Sequence, residues 1–183
     1  MEDRSNPFWQ YSLKLYACDD VAELCLRLQD EGGLDVNLLL YCLWRGSQGQ
    51  SLQRVSLAEV CRVSAPWRQE VVESLRRARR WMKGKKHDIA GQSSSLRERI
   101  KALELAAEKC QQDWLAALPT VHDDASPFIA AAHNLASYVQ EAGAQSTPAL
   151  QGDLGRLLHQ AFPDVAAKDL SEAKKLLAAE RSG

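Results

Sequence analysis

Nine basic side chains fall between residues 62 and 86: Arg62, Arg68, Arg76, Arg77, Arg79, Arg80, Lys83, Lys85 and Lys86, with Trp67 and Trp81 among them. Arg76 and Arg80 are four apart, as are Arg79 and Lys83, so on a helix each pair shares a side. Guanidinium forks match phosphate and carboxylate in a two-point fit. Arg68, Arg76, Arg77, Arg79, Arg80 and Lys83 therefore form a candidate contact strip for an anionic partner, either nucleic acid or an acidic protein surface. The segment Leu57 to Val63, followed by Ser64-Ala65-Pro66, has helix-turn-helix proportions. Against that, the turn lacks glycine and a Pro–Trp start is unusual for a recognition helix. The plainer reading is a solvated helix face whose arginines pair with acidic segments on either side.

A second constellation is aromatic. Trp9, Tyr16 and Tyr41, with Asp35 and Asn37, could wall a small-ligand pocket, because aromatic surfaces with a few polar groups suit such a site. Asp35 and Asn37 enter an apolar helix, where they must find hydrogen bonds or lose a few kcal/mol. Their plainer roles are an N-cap and a bond to a neighbouring helix end.

Other candidates are thinner. Asp19-Asp20-Val21-Ala22-Glu23 superficially resembles a Mg²⁺-binding carboxylate motif of helical isoprenoid synthases, but no second acidic motif completes it, and an N-cap explains it. His122-Asp123-Asp124 with His133 matches no metal spacing. Cys18, Cys25, Cys42, Cys61 and Cys110 are odd in number, without a C-x-x-C pair, and read as reduced, mostly buried thiols. No glycine-rich phosphate loop is present. No cofactor, metal or catalytic residue is implied.

The elements that would carry these residues are helical. Asn6-Pro7 starts a helix through Phe8, Trp9 and Tyr16. Asp19-Asp20 caps another with apolar residues at 21, 24, 25 and 28. Gly32-Gly33 ends it, and residues 35–44 form a helix apolar all round, which belongs at the centre of a bundle. Ser56 and Glu59 form a capping box that predicts a helix from Leu57, broken at Pro66. A basic helix comes next over 67–82, then a polar linker over 83–95 and one long helix over 96–118. Ser126-Pro127 and Thr147-Pro148 open two further helices, and Val165 to Ala179 gives a last one. No strand pattern appears. The fold class is all-α: a compact multi-helix bundle around a buried central helix at residues 6–90, with a second helical segment at 96–180 packed on it or extending from it.

Composition agrees with an ordinary globular protein, at 45% hydrophobic and 26% charged residues. The formal charge of −1 hides an asymmetry. Residues 1–60 hold five basic and nine acidic side chains, residues 61–101 twelve and four, and residues 102–183 six and eleven. No apolar run reaches membrane-spanning length, and Met1 to Asn6 lacks a signal-peptide pattern, so a cytoplasmic setting with no membrane contact is expected.

The motifs Asn6-Pro7-Phe8-Trp9, Leu15-Tyr16-Ala17, Leu28-Gln29 and Asp35-Val36-Asn37-Leu38-Leu39-Leu40-Tyr41-Cys42-Leu43-Trp44 carry a family resemblance. Over about residues 6–90 the chain resembles short uncharacterised proteobacterial proteins classed as a domain of unknown function. The resemblance implies a cytoplasmic bacterial protein and transfers no catalytic residue. Two functions are expected in turn: a non-enzymatic adaptor that contacts an anionic partner through the basic helix, or a ligand-binding protein or enzyme with the aromatic pocket.

Overall fold

A computed structural model describes residues 6–83, 92–119 and 126–178. Lys85, Lys86, His87, most of the expected linker and the His122-Asp123-Asp124 cluster lie outside them. The described residues form α1 (Pro7–Tyr16), α2 (Val21–Asp30), α3 (Val36–Ser47), α4 (Arg54–Trp67), a π-helical turn (Arg68–Val72), α5 (Glu73–Met82), α6 (Gln92–Ala116), α7 (Pro127–Glu141), α8 (Pro148–Ala161) and α9 (Ala167–Ala178). No strand occurs among them, so the fold is all-α.

α3 is the hub. Every residue from Asn37 to Gly46 is buried, and the helix packs against α1, α2, α6 and α7. Asp35 caps it: its Oδ1 accepts the Asn37 N–H at 2.9 Å. Asn6 does the same for α1, accepting the Phe8 N–H at 2.8 Å, and Thr147 for α8 through the Leu150 N–H at 3.2 Å. The closest approach is to α7. A Cβ built on Gly46 would stand 2.3–2.5 Å from Ala131 atoms, so glycine is required there for the two helices to touch. A continuous apolar core runs from Phe8 to Leu177 and includes Leu115, Phe128, Leu135 and Leu157.

Four local expectations are corrected. The helix does not break at Pro66: α4 passes through it and the chain widens into the π turn. Proline removes one N–H and crowds the preceding turn, but contacts on both sides hold the axis. Gln111 donates to Ser64 Oγ at 2.7 Å, Trp67 Nε1 donates to Ala107 O at 3.0 Å, and Val72 is buried. A continuous axis removes the helix-turn-helix proportions. α4 also starts three residues before Leu57, because the buried Asn134 side chain, rather than Ser56, fixes the incoming chain by accepting the Leu52 N–H at 2.6 Å. Asp20 precedes α2 with φ 64° and caps nothing with its side chain; an extended backbone is what capping needs. Finally, Ser93 to Ser95 are helical, since serine is tolerated in the first turns.

Arg45 was not anticipated. It is 5% exposed at the end of the apolar helix, with its guanidinium 4.4 Å from the Trp44 ring centre and 5.1 Å from that of Tyr41. Its Nη2 donates to the carbonyls of Ala116 at 3.3 Å and Leu118 at 2.9 Å. A cation there meets the negative end of the α6 dipole and satisfies orphan carbonyls.

Candidate functional site: a cleft beside the polar end of α3

A cavity of about 430 Å³ opens between α1, α2, the start of α3, the π turn, α5 and α6. That volume lies within the range of small-molecule pockets. Trp9, Leu13 and Tyr16 face it from α1, and Ala22, Cys25, Leu26 and Gln29 from α2. Leu34, Asp35, Asn37 and Leu40 line its α3 end. The opposite side is Arg68 and Val72 of the π turn, Arg76, Arg79 and Arg80 of α5, and Glu104, Leu105, Glu108 and Gln112 of α6. The two constellations that the sequence separates, aromatic and basic, thus meet in one cavity. The π turn contributes here, because a wider turn rotates the helix after it, and such turns recur at functional sites.

Three of the sequence-selected residues point elsewhere. Tyr41 is 1% exposed in the core, its ring 5.9 Å from that of Phe8. Arg77 and Lys83 are exposed and do not line the cleft. Arg77 donates to Ser74 Oγ at 3.2 Å.

At the α3 end the polar groups form a closed chain. Ser12 Oγ donates to Gln112 Oε1 at 2.9 Å, and Gln112 Nε2 donates to Asn37 Oδ1 at 2.8 Å. Asn37 Nδ2 donates to Gln111 Oε1 at 2.7 Å, and Gln111 Nε2 donates to Asp35 Oδ2 at 2.8 Å. Asp35, Asn37, Gln111, Gln112 and Ser12 are all buried. Satisfied buried networks of this kind fix register, because a shifted helix would strand several polar groups at once. Burial raises the Asp35 carboxyl above its usual range, against the hydrogen bonds and the nearby Arg68 and Arg76 charges.

The α5 side is an alternating ion-pair ladder. Glu104 is held by Arg76 Nε at 2.9 Å, and by Arg79 through Nε at 2.5 Å and Nη2 at 3.1 Å. Arg76 also donates from Nη2 to Glu108 at 2.7 Å and from Nη1 to Gln29. Arg80 reaches Asp30 at 3.1 Å, and Arg68 reaches Glu73 at 2.8 Å and the Gly33 carbonyl at 3.1 Å. Among the described residues, Arg76 and Arg79 thus pair with acids that follow the basic block and Arg80 with one that precedes it. Burial opposes ionisation of Glu104, but its bonds from Arg79 and Arg76 outweigh this and hold it below the usual range. At Glu108 burial dominates and raises the carboxyl, with Arg76 opposing.

Two carboxyls with divergent acidities on one wall resemble an acid–base pair. Both oxygens of Glu104 are, however, already occupied by guanidinium groups. Cys25 is likewise quiet: burial pushes its thiol up to about 11, so it stays protonated near neutral pH. Among the described residues no group of His, Cys, Asp and Glu is placed to hold a metal ion, and no helix is long and apolar enough to cross a membrane.

A wider groove of about 810 Å³ lies between α2, α8 and α9. Of the residues singled out from sequence, Asp20 and Glu23 line it. Two of its cations, Arg27 and Arg156, are already tied to Asp153.

An all-α protein with a lined cleft is the class these features define. The chain belongs to the family described as a protein of unknown function (DUF2390), whose model matches residues 7–115. That stretch runs from the first residue of α1 to the last turn of α6 and contains every cleft-lining residue. No curated protein and no solved structure matched the chain.

Proposed function

We propose that this is a small-molecule-binding protein whose site is the cleft between α1, α2, α5 and α6. The observation that carries the reading is convergence: Trp9, Tyr16, Asp35 and Asn37 share one cavity of about 430 Å³ with Arg68, Arg76, Arg79 and Arg80. A preformed, mostly apolar concavity with a few fixed polar groups is what ligand sites share. The saturated network at Asp35 and Asn37 acts as a rigid floor.

The test is a small-molecule fragment screen by backbone amide NMR, with Ala22→Trp as control. Ala22 is exposed at the edge of the cleft, so an indole there fills the space without entering the core. Hits that shift α1, α2 and α6 signals in the parent, and fail to do so in folded Ala22→Trp, support the reading. Hits scattered over the surface, or equal in the variant, overturn it.

A second reading is contact with nucleic acid or an acidic protein surface through α5. It draws support from the exposure of Arg77, Arg80 and Lys83, and the internal pairing of Arg76 and Arg79 counts against it. Its measurement is nucleic-acid binding across a salt series, where a steep salt dependence lost in Arg77→Gln/Arg80→Gln is the supporting outcome.

A further inference from the structure

We infer that the cleft's ligand is a small amphipathic monocarboxylate, its apolar body lying along the α1–α2 edge and its carboxylate among Arg68, Arg79 and Arg80. The inference rests on the cleft being a ligand site and names the chemistry of what it takes. Leu13, Tyr16, Leu26 and Leu105 are 47%, 39%, 53% and 53% exposed, and all four border this cavity. Scattered exposed leucines need no explanation, but large apolar side chains gathered at one mouth mark a surface that gains by being covered.

The opposite wall has the complementary character. Four guanidinium groups face three carboxyl groups, those of Asp35, Glu104 and Glu108. Asp30 and Glu73, which pair with Arg80 and Arg68, stand outside the lining and are 49% and 39% exposed, so water screens them. Each of the four guanidinium groups thus has a carboxyl partner, and those of Arg80 and Arg68 are the exposed ones that an incoming carboxylate can displace.

Hydrogen-bonding capacity agrees. A guanidinium offers five N–H donors. Among the described residues, Arg79 spends Nε and Nη2 on Glu104 and Arg80 spends Nη2 on Asp30, so both keep N–H groups to offer. An incoming ammonium has only donors and offers those N–H groups no acceptor. A neutral apolar molecule would leave those donors without a partner. A single carboxylate can replace a screened partner and matches the two-point geometry of arginine.

The experiment compares decanoate, decan-1-ol and decylamine, which share one apolar body, by amide NMR titration of the full chain and of Arg80→Gln and Ala22→Trp. The expected result is decanoate binding about tenfold or more tighter than either analogue, with shifts at Leu13, Leu26 and Leu105 and none in Ala22→Trp. In Arg80→Gln, whose pair is solvent-exposed, decanoate should lose several-fold in affinity while decan-1-ol is unchanged. Alcohol or amine binding as tightly as the carboxylate, or an undiminished preference in Arg80→Gln, overturns the inference and leaves the cleft reading standing. No shift in the cleft with any of the three overturns the cleft reading and the inference with it.

Discussion

α3 meets α7 and α6 by opposite means. Against α7 the contact is close and made mostly of small residues, with Gly46 set on Ala131 and with Ala130, Ala132 and Leu135 buried, and its few hydrogen bonds run from Asn134 to the Cys42 carbonyl and from the Asp35 N–H to the Tyr138 hydroxyl. Against α6 it is polar, with Asn37 and Asp35 bonded to Gln111 and Gln112. A close contact of this kind holds by volume and tolerates no added atom. A polar contact holds by pairing and tolerates no lost partner. The cleft lies beside the polar contact, where side chains stay apart because hydrogen bonds fix their spacing.

The sharpest way to break the comparison is Gly46→Ala. The new methyl overlaps the Ala131 backbone, and overpacking that cannot relax locally costs about 3 kcal/mol. Denaturant unfolding should show it, with ligand binding lost alongside stability. Asn37→Leu attacks the polar contact by stranding Gln111 Oε1 and Gln112 Nε2. The expected loss is roughly 2–3 kcal/mol, and a neutral result would mean the network contributes no specificity.

Glu104→Gln probes the ladder through pH. The folded-state pKa of Glu104 lies below its ordinary value of 4.5. Its contribution is therefore complete above about that pH and is lost as pH falls through the folded value. The variant should lie roughly 1–2 kcal/mol below the parent near neutral pH, with the gap closing in acid; a pH-independent gap would sink the ladder's role. The smallest effect belongs to Arg77→Gln. Exposed and outside the cleft, it should change stability by less than about 0.5 kcal/mol and leave ligand binding untouched. Altered binding would extend the site beyond the cleft.

Much of the architecture was legible because it rests on short-range signals. Asn6, Asp35 and Thr147 are caps that act over two or three residues, and the apolar run from Leu38 to Trp44 announces burial on every face. The π turn was not legible. Proline predicts a break, and the helix's survival depends on Ser64 and Trp67, one on either side of it, both being held by α6. Arg45 was invisible for the same reason: an arginine ending an apolar helix looks like an exposed terminus until the α6 carbonyls arrive beside it. Gln111 and Gln112, which complete the floor of the cleft, gave no signal at all within a long polar helix.

The candidate site divides along the same line. Residue type and local periodicity picked out the basic residues of α5 and the Trp9, Tyr16, Asp35 and Asn37 group, since charge and aromaticity are properties of single residues. Tertiary structure decided that they face one another, that Tyr41 turns into the core instead, and that Arg76 and Arg79 spend their charge on Glu104 and Glu108. Those outcomes depend on contacts between residues 25 to 76 positions apart, and no local pattern encodes which of two equally basic side chains meets an acid and which meets solvent. Sequence by itself determined the helices and their polarity; the tertiary structure decided the cleft, because a cavity is the space left where several helices fail to touch.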